Sequence, residues 1–216
     1  MGKVTLYGFD ASPPFRAAKM SCAALGVEYT VKYVDVTQME NRRPEYLKLN
    51  PIHTVPTMVD GDYVLFDSHA ISCYLANKYG KDDKWYPKDP CQRGIVDQRL
   101  HFDCSVLGIA LRNVGVPLLF GKQPNEKTIA PLVKAVKSLD KLLGDNEFIA
   151  LNHPTIADCH CSATVLSIQA LLPNAVTSRV AAWLERCKTA LPGFEKINNP
   201  ALEQLQTLRE MGRSKL

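Results

Sequence analysis

The stretch that decides the fold runs from Leu49 to Pro56 and reads LNPIHTVP. Its Val-Pro step stands directly before an alternating apolar pattern, and proline is the residue for which a cis peptide bond costs only ~0.5–1 kcal/mol. If the following strand lies at a sheet edge, the backbone groups of Val55 stay free to pair with a molecule outside the chain. Asp67-Ser68-His69-Ala70 then begins a helical pattern. A free strand edge that faces a helix N-terminus predicts a site for a short peptide with a negatively charged end.

Length and composition indicate a globular protein of one large or two small domains. The chain has 216 residues, of which 46% are hydrophobic and 22% are charged, so it can build a sizeable core. The net charge of +4 comes from scattered basic residues, without the basic stripe interleaved with aromatics that is typical of nucleic-acid binding. No apolar run approaches the ~20 residues that span a bilayer. Because the N-terminus enters a strand pattern at Lys3 without a secretory segment, we expect a cytoplasmic protein with no nucleic-acid or membrane partner.

Cysteine usage favours reduced, buried thiols over disulfides or a metal site. The seven cysteines are odd in number, and no two of them form a Cys-x-x-Cys pair. Cys159-His160-Cys161 lies in a helical pattern, where residues two apart point to different faces. We therefore expect this tripeptide to serve packing, and we expect no metal in the protein.

Residues 1–80 alternate strand and helix signals in the order β-α-β-α-β-β-α, which is a thioredoxin-like arrangement. Ser12 followed by two prolines is a common helix start, and Gly26 is well placed to end that helix. Asp60-Gly61 reads as the tight turn of a hairpin. The residues from Asp67 to Gly80 predict the last helix of this α/β unit.

Residues 81–90 are charged and proline-containing and read as a linker, after which the chain is helical to its end. We expect Trp85 to dock onto a neighbouring element. The helical patterns of the all-α domain, residues 91–216, lie at 91–118, 125–143, 155–171, 177–190 and near 200–211. Thr155 and Asp158 match a capping box, so we assign Asp158 to folding rather than to catalysis.

The motifs in this order resemble those of a cytosolic glutathione transferase, most closely of the insect epsilon class and next of the delta class. The resemblance rests on Ser12-Pro13-Pro14, NPIHTVP, DSHAI and KYGKDDKWYPKDP, and it covers nearly the whole chain. It implies a thioredoxin-like glutathione-binding domain at 1–80, a linker at 81–90, and an all-helical domain at 91–216 that contributes an electrophile pocket. It also implies a homodimer that uses glutathione as co-substrate for detoxification.

The chemistry of a glutathione enzyme requires a group that stabilises the sulfur as an anion, because the thiolate is the nucleophile. A thiol has a pKa near 8.5, and lowering it by two units requires ~2.7 kcal/mol. A hydroxyl donor at a helix N-terminus can supply this, and Ser12 has that position in the pattern. Tyr7 is the rival donor, because other classes of the family use a tyrosine near the first strand.

The resemblance also implies the residues that hold glutathione. Val55 pairs its backbone with the cysteinyl part, and Pro56 in the cis form fixes that segment. His53 is expected to contact the glycyl end. Asn41 takes the place of a second histidine that epsilon members often have, with Arg42 or Arg43 as alternative partners of the glycyl carboxylate.

At the other end of glutathione, Asp67 stands where family members commonly have Glu, so its contact with the γ-glutamyl ammonium is expected to be weaker or water-mediated. Ser68 and the helix amides after it are expected to hold the γ-glutamyl carboxylate. His69 is expected to face the domain interface or a neighbouring subunit, outside the site.

The electrophile is expected between the two domains, against the first long helix of the second domain. Residues recurring at helical spacing there could line one wall or could equally be helix core, and Arg112 is expected to approach glutathione or a negative group on the electrophile. The proposed lining consists of Phe9, Gly108, Leu111, Arg112, Gly115 and Leu119, with Val36, Leu208 and Met211 as further walls.

Three functions compete at this point. The first is an enzyme that conjugates glutathione to hydrophobic electrophiles, with peroxide reduction or hydrogen-halide elimination as side activities. The second is a non-catalytic carrier of hydrophobic ligands on the same scaffold, which the glycines at 108 and 115 keep open. The third, a thiol-transfer reductase, needs a cysteine at the helix start, where the chain has Ser12.

Overall fold

The computed structural model describes residues 4–213, apart from the side chains of Leu119, Leu208, Arg209 and residues 211–213. A four-stranded sheet comes first, with strands in the order β2-β1-β3-β4. The strands are β1 (Val4–Gly8), β2 (Tyr29–Tyr33), β3 (Thr57–Asp60) and β4 (Tyr63–Phe66), with β1 and β2 parallel and the other pairs antiparallel. The helices among them are α1 (Pro13–Leu25), α2 (Pro44–Leu47) and α3 (Ser68–Tyr79). The predicted β-α-β-α-β-β-α order of a thioredoxin-like fold is therefore confirmed.

The strand after the Val-Pro step lies inside the sheet, so the prediction that it forms an edge is wrong. On one side Tyr7 of β1 pairs with Thr57, and on the other side Thr57 pairs with Phe66 of β4. Val55 precedes the first paired residue of β3, which places its backbone beyond the end of the ladder. The backbone groups of Val55 are therefore unpaired because Val55 precedes the strand, and not because the strand lies at a sheet edge. The hairpin turn was predicted at Asp60-Gly61, but Asp60 still pairs with Tyr63, so the turn lies one residue later, at Gly61-Asp62.

The second unit is entirely helical among the residues described, and α7 lies at its centre. Its helices are α4 (Pro90–Phe102), α5 (Gly108–Leu119), α6 (Glu126–Leu143), α7 (Ile156–Leu171), α8 (Ser178–Ala190) and α9 (Phe194–Arg213). A π-helical turn, Asp103–Leu107, joins α4 to α5 within the helix predicted at 91–118. The last helix begins at Phe194, earlier than predicted, because Phe194 and Ile197 anchor its first turns in the core, and it continues through Pro200.

The capping box predicted at the start of α7 is confirmed and is tied into the core. Asp158 Oδ2 accepts hydrogen bonds from the Thr155 amide at 2.9 Å and the Thr155 hydroxyl at 3.2 Å. Asp158 Oδ1 accepts from the Ile149 amide at 2.8 Å and from Trp183 Nε1 at 3.1 Å. All of these groups are buried, so Asp158 has a structural role in the helical unit.

The two units meet along α1 and α7. Arg16 of α1 is fully buried and donates from Nη2 to the Ala163 carbonyl at 2.7 Å and to Ser167 Oγ at 2.6 Å. The linker residue Trp85 docks as expected: its ring packs against the cores of both units, and its carbonyl accepts from the Ile156 amide at 3.0 Å. Among the residues described, no helix has the length and apolar character needed to span a membrane.

Candidate active site

Ser12 is the N-cap residue of α1, with φ −77° and ψ 114°. Its amide donates to the Phe9 carbonyl at 2.9 Å, and its carbonyl accepts from the Arg16 amide at 3.2 Å. Its hydroxyl makes no capping bond within the described chain, and Pro13 and Pro14 provide no N–H groups in the first turn. The hydroxyl is therefore available at the positive end of α1 to donate to an incoming anion.

The loop that carries Ser12 is held by a residue near the other end of the chain. The Ala11 amide donates to Gln204 Oε1 of α9 at 2.8 Å, and Phe9, Ala11 and Leu205 form a small buried cluster. Phe9 is only 8% exposed because Leu205 and Val36 cover it. Phe9 therefore supports the loop from beneath, which corrects its predicted role as an open pocket wall.

Charge balance beside this loop depends on a buried ion pair. Lys19 Nζ donates to Asp10 Oδ1 at 2.8 Å, and the Tyr33 hydroxyl donates to Asp10 Oδ2. The hydrogen bond to Asp10 raises the pKa of Tyr33 to about 12. Because Lys19 neutralises Asp10, the carboxylate does not leave an uncompensated negative charge close to Ser12.

Tyr7, the rival donor, faces away from the N-terminus of α1. Gly8 faces α1 so closely that a Cβ there would lie 2.2 Å from the Phe15 ring. Successive residues of a strand point to opposite faces, so the Tyr7 side chain lies on the other face of the sheet. There its hydroxyl accepts from Lys32 Nζ at 3.2 Å and its ring meets Tyr46 edge-on.

The loop before β3 is built around one fully buried side chain, Asn50. Its Nδ2 donates to the Thr54 carbonyl at 2.9 Å and to Thr57 Oγ1 at 3.1 Å, while the Tyr46 hydroxyl donates to the Thr54 carbonyl at 2.6 Å. The bond between Val55 and Pro56 is cis, as the sequence predicted. No backbone hydrogen bond of the described residues uses Val55, so both of its peptide groups remain available to a ligand.

Asn41 supports the backbone of His53. Its Nδ2 donates to the His53 carbonyl at 2.7 Å, and His53 has a φ of +50°. The hydrogen bond stabilises a left-handed conformation that costs a non-glycine residue energy. One N–H of the Asn41 amide is thus used within the loop, while its second N–H and its oxygen are not, so a contact of Asn41 with the ligand stays a prediction.

Asp67 is the N-cap of α3 and uses the amides that the sequence analysis assigned to the ligand. Its Oδ1 accepts from the amides of His69 at 2.9 Å and Ala70 at 3.0 Å, and hydrogen bonding to His69 lowers the pKa of Asp67. Those two amides are therefore capped internally, contrary to expectation. The Ser68 amide takes no part in this cap, and the Ser68 side chain is buried beside it.

The stripe on α5 that was predicted to line a pocket is divided between core and surface. Leu111 is 7% exposed in the helical core, and a Cβ on Gly115 would lie 3.2 Å from Leu171 Cδ1. The glycine at 115 therefore permits close packing of α5 on α7, which corrects both residues as pocket walls. Gly108 is explained by the π-helical turn, because its Cβ would lie 3.0 Å from the Asp103 carbonyl oxygen.

Arg112 lies exposed on α5, and the predicted contacts of Leu119, Leu208 and Met211 fall on side chains outside the described residues. Asn50, Lys19 and Gln204 support the site although the sequence did not single them out. Asn50 has a local signal, since it is a polar residue between Leu49 and Pro51 in the deciding stretch. Gln204 has none, because its partner Ala11 lies 193 positions away.

A thioredoxin-like sheet, an available serine hydroxyl at a helix N-terminus and unpaired backbone beside a cis-proline together define a protein that binds a thiol peptide. Comparison with known proteins identifies the family. A model described as the glutathione S-transferase N-terminal domain matches residues 2–77. The chain is 39% identical to glutathione S-transferase 1 of Manduca sexta in an alignment 204 positions long, which covers 91% of this chain and 93% of that protein.

Solved structures agree over nearly the full length. An epsilon-class glutathione S-transferase from the housefly, Musca domestica, matches with a TM-score of 0.89 and 38% identity, covering 97% of this chain and 98% of its own. A delta-class transferase from Nilaparvata lugens matches with a TM-score of 0.90 and 34% identity, covering 97% and 99%. A glutathione transferase homologue from Drosophila mojavensis with bound glutathione matches with a TM-score of 0.91 and 36% identity, covering 98% of both chains.

The chain therefore belongs to the glutathione S-transferase family and is a glutathione-conjugating enzyme rather than a non-catalytic carrier.

Proposed function

We propose that Ser12 stabilises the glutathione thiolate and that the thiolate attacks hydrophobic electrophiles bound beside it. The observation that carries this proposal is the Ser12 hydroxyl, which caps no amide of α1 and stands at the helix N-terminus. In this role the hydroxyl donates to the sulfur, and the α1 dipole adds to the stabilisation of the anion. The hydrogen bond from the hydroxyl and the α1 dipole together need to supply ~2.7 kcal/mol to lower the thiol pKa by two units.

Glutathione is held at both of its ends in this proposal. The backbone N–H and C=O of Val55, presented by the cis-Pro56 turn, pair with the cysteinyl residue. The Ser68 amide and hydroxyl bind the γ-glutamyl carboxylate at the N-terminus of α3, and the Asp67 oxygen that is not used in capping faces the ammonium. His53 contacts the glycyl end. Asn41 supports the His53 backbone with one N–H and presents its remaining amide groups to the glycyl end.

The electrophile is proposed to lie between the two units, residues 1–80 and 91–216, near Ser12. Arg112 is the charged group proposed on the α5 side, where it is exposed and therefore free to meet a negative substituent or the glycyl carboxylate. Phe9 and Leu205 form the apolar floor under the Ser12 loop.

Conjugation to a chromogenic chloronitrobenzene tests the role of Ser12. We expect Ser12→Ala to lower kcat/KM by about 10–100-fold and to raise the pKa of bound glutathione, measured from the thiolate absorbance, while glutathione affinity changes little. Ser138→Ala is the matched control, because Ser138 is half-buried on α6 and, among the residues described, its hydroxyl bonds only to the Lys134 carbonyl of its own helix. Full activity in Ser12→Ala with an unchanged thiol pKa would rule out this assignment.

We also propose a cytoplasmic homodimer. All seven cysteines are free, which suits a reducing compartment. Apolar side chains are exposed along α4, the π-helical turn and α5, at Ile95, Val106, Ile109 and Val116, and would be covered in a dimer. Light scattering tests the dimer, since the monomer has a mass of 24.0 kDa.

A further inference from the structure

Arg16 is a buried cation that forms no ion pair with any carboxylate of the described residues. It is 0% exposed, and Nη2 donates to the Ala163 carbonyl at 2.7 Å and to Ser167 Oγ at 2.6 Å. Both acceptors are neutral groups of α7. Nε and Nη1 have no hydrogen-bond partner among the residues that the structure describes. A fully buried arginine is usually paired with an acid, so this unpaired charge calls for an explanation in function.

The charges around Arg16 leave a net positive charge where α1 packs on α7. Burial lowers the pKa of Arg16 to about 10, and the negative charge of Asp10 opposes this effect, so the guanidinium is charged at neutral pH. Asp10 is itself neutralised, because Lys19 Nζ lies 2.8 Å from its Oδ1. The stretch of α7 that contacts Arg16, residues 163–167, contains no ionisable side chain. The acidic side chains of α9, which also packs on α1, are exposed to solvent.

The position of Arg16 on α1 brings this charge close to Ser12. The Arg16 amide donates to the Ser12 carbonyl at 3.2 Å, so the two residues lie one helical turn apart. Residues four apart share one face of a helix, and helical side chains lean toward the N-terminus. The Arg16 side chain therefore lies over the first turn of α1. Its electrostatic interaction with Asp10, two residues before Ser12 in the chain, agrees with this placement.

A buried charge acts over a longer distance than an exposed one. Water and salt screen charges at the surface, whereas the protein interior has a much lower effective dielectric constant. The first turn of α1 is the material between Arg16 and a sulfur bound at the Ser12 hydroxyl. The positive charge of Arg16 therefore adds to the helix dipole and favours the thiolate over the thiol.

We propose that Arg16 lowers the pKa of the glutathione thiol from a distance, with the bound thiolate as the anion that balances its buried charge. This inference rests on the proposed function, in which the sulfur lies beside Ser12. Arg16 acts through its electric field, and Ser12 remains the hydrogen-bond donor. When the thiol ionises, its proton passes to solvent and no other bond changes. Because Arg16 bonds to α7, the helical unit fixes where the charge lies.

The test is the pKa of glutathione bound to the full-length protein, measured from the thiolate absorbance. We expect Arg16→Met to raise this pKa by about 0.5–1 unit, which lowers the thiolate fraction about three- to tenfold at a pH below the pKa. Methionine removes the charge but still fills much of the space. Arg16→Lys retains a cation and should stay within about 0.3 unit of the wild type.

S-methylglutathione separates the effect of the charge from a general disturbance of the site, because its sulfur cannot ionise. Arg16→Met should bind it as tightly as the wild type does. Its affinity for glutathione, at a pH above the thiol pKa of both bound forms, should fall about three- to tenfold. Equal loss of both affinities with an unchanged thiol pKa would assign Arg16 to structure alone and overturn the proposal.

Arg99→Met is the matched control for removing a buried arginine. Arg99 of α4 is 8% exposed and donates to the Ile149 carbonyl at 3.0 Å and to the Leu142 carbonyl at 2.9 Å within the helical unit. Its removal should leave the thiol pKa unchanged. A rise in Arg99→Met as large as that in Arg16→Met would show that the effect is not specific to the charge beside Ser12.

Lys19→Met decides the matter if melting shows that Arg16→Met does not fold. In this variant Asp10 offsets Arg16, so the net positive charge is lost while the contacts of Arg16 with α7 remain. The thiol pKa should again rise by about 0.5–1 unit. An unchanged pKa in folded Lys19→Met would then overturn the proposal.

Ser12→Ala distinguishes this inference from the proposed function. The field of Arg16 does not depend on the hydroxyl, so adding Arg16→Met to Ser12→Ala should raise the thiol pKa by a further amount of about 0.5–1 unit. A rise in Ser12→Ala without one in Arg16→Met would overturn this inference and leave the proposed function intact. The opposite result would overturn the role of Ser12 and support that of Arg16.

Discussion

At the scale of single residues, Gly8 sets how closely α1 lies on the sheet. A Cβ at this position would lie 2.2 Å from the Phe15 ring, which is itself fully buried. We expect Gly8→Ala to lower the free energy of unfolding by about 1–3 kcal/mol, because α1 or the ring must shift. Gly94→Ala is the matched control: no atom lies within 4 Å of its Cβ, and the helix should gain about 0.5–1 kcal/mol. Urea unfolding measures both, and equal effects in the two variants would contradict this account.

His69 is the residue whose charge state links stability to pH. Burial lowers its pKa, but the hydrogen bond to Asp103 and the negative charge of Asp67, whose Oδ1 lies 3.7 Å from His69 Nδ1, outweigh burial and raise the pKa to about 9. A histidine whose folded pKa lies above its unfolded value of about 6.5 stabilises the protein fully below pH 6.5, and this contribution is lost as pH rises through about 9. Cys104 and His160 are the other ionisable groups close by, and burial keeps the pKa of His160 well below 6.5.

The stability difference between wild type and His69→Gln should therefore shrink between pH 7 and pH 10 by about 2–3 kcal/mol. Urea unfolding across this pH range measures this difference. His101→Gln is the control, because His101 is exposed on α4. A His69→Gln difference that stays constant across this pH range would show that His69 is not charged at neutral pH.

At the scale of elements, α9 holds the loop that carries Ser12. Gln204 accepts the Ala11 amide, and Leu205 covers Phe9. We expect Gln204→Ala to lower kcat/KM about five- to tenfold, because the loop loses a hydrogen bond while the Ser12 hydroxyl itself remains. Gln206→Ala is the matched control, since Gln206 is exposed on the same helix and, within the described part of the chain, its side chain bonds only to Glu210. Unchanged kcat/KM in Gln204→Ala would show that α9 does not position the loop.

The elements also show how far the sequence determines the fold. The order of strands and helices, the cap at Ser12, the cis-Pro56 and the capping box at Thr155 follow from local residue chemistry, and the sequence predicts them correctly. The interior position of β3 was mispredicted because strand order depends on pairing between distant segments, which local alternation does not encode. Likewise, the π-helical turn at Asp103–Leu107 leaves no helical period in the sequence to reveal it.

The two groups of site residues also differ in how far the sequence predicts them. The positions of Ser12, Val55 and Ser68 follow from local chemistry, because each stands beside a proline or at a helix start, while their contacts with glutathione stay predictions. The cluster of His69, Asp103 and His160 was not predictable, because its members come from three helices and meet only in the packed molecule. The cysteines next to His160 in the sequence point to other faces of α7. Its relevant partners are 57 and 91 positions away, at Asp103 and His69.

At the scale of the whole molecule, the linker joins two cores that would otherwise be separate. Trp85 packs against both hydrophobic clusters, and its carbonyl accepts the Ile156 amide at the start of α7. The α1–α7 contact, with Arg16 bonded to Ala163 and Ser167, is the other large connection. Removing the Trp85 ring should therefore weaken both the stability of each unit and the coupling between them.

We expect Trp85→Ala to lower the free energy of unfolding by about 2–4 kcal/mol, somewhat less than a fully buried tryptophan because the ring is only partly buried. The chain has two tryptophans, so fluorescence of this variant reports only on Trp183 in the helical core, whereas far-ultraviolet circular dichroism reports on both units. The two urea transitions should separate, with the dichroism changing first, because the thioredoxin-like unit loses the support of the helical unit. Trp85→Phe is the matched control: it also leaves Trp183 as the only tryptophan but keeps an aromatic ring at the junction, so its transitions should coincide. The fluorescence and dichroism transitions of Trp85→Ala could instead coincide, with the same urea midpoint as in Trp85→Phe. That result would show that the α1–α7 contact alone couples the two units.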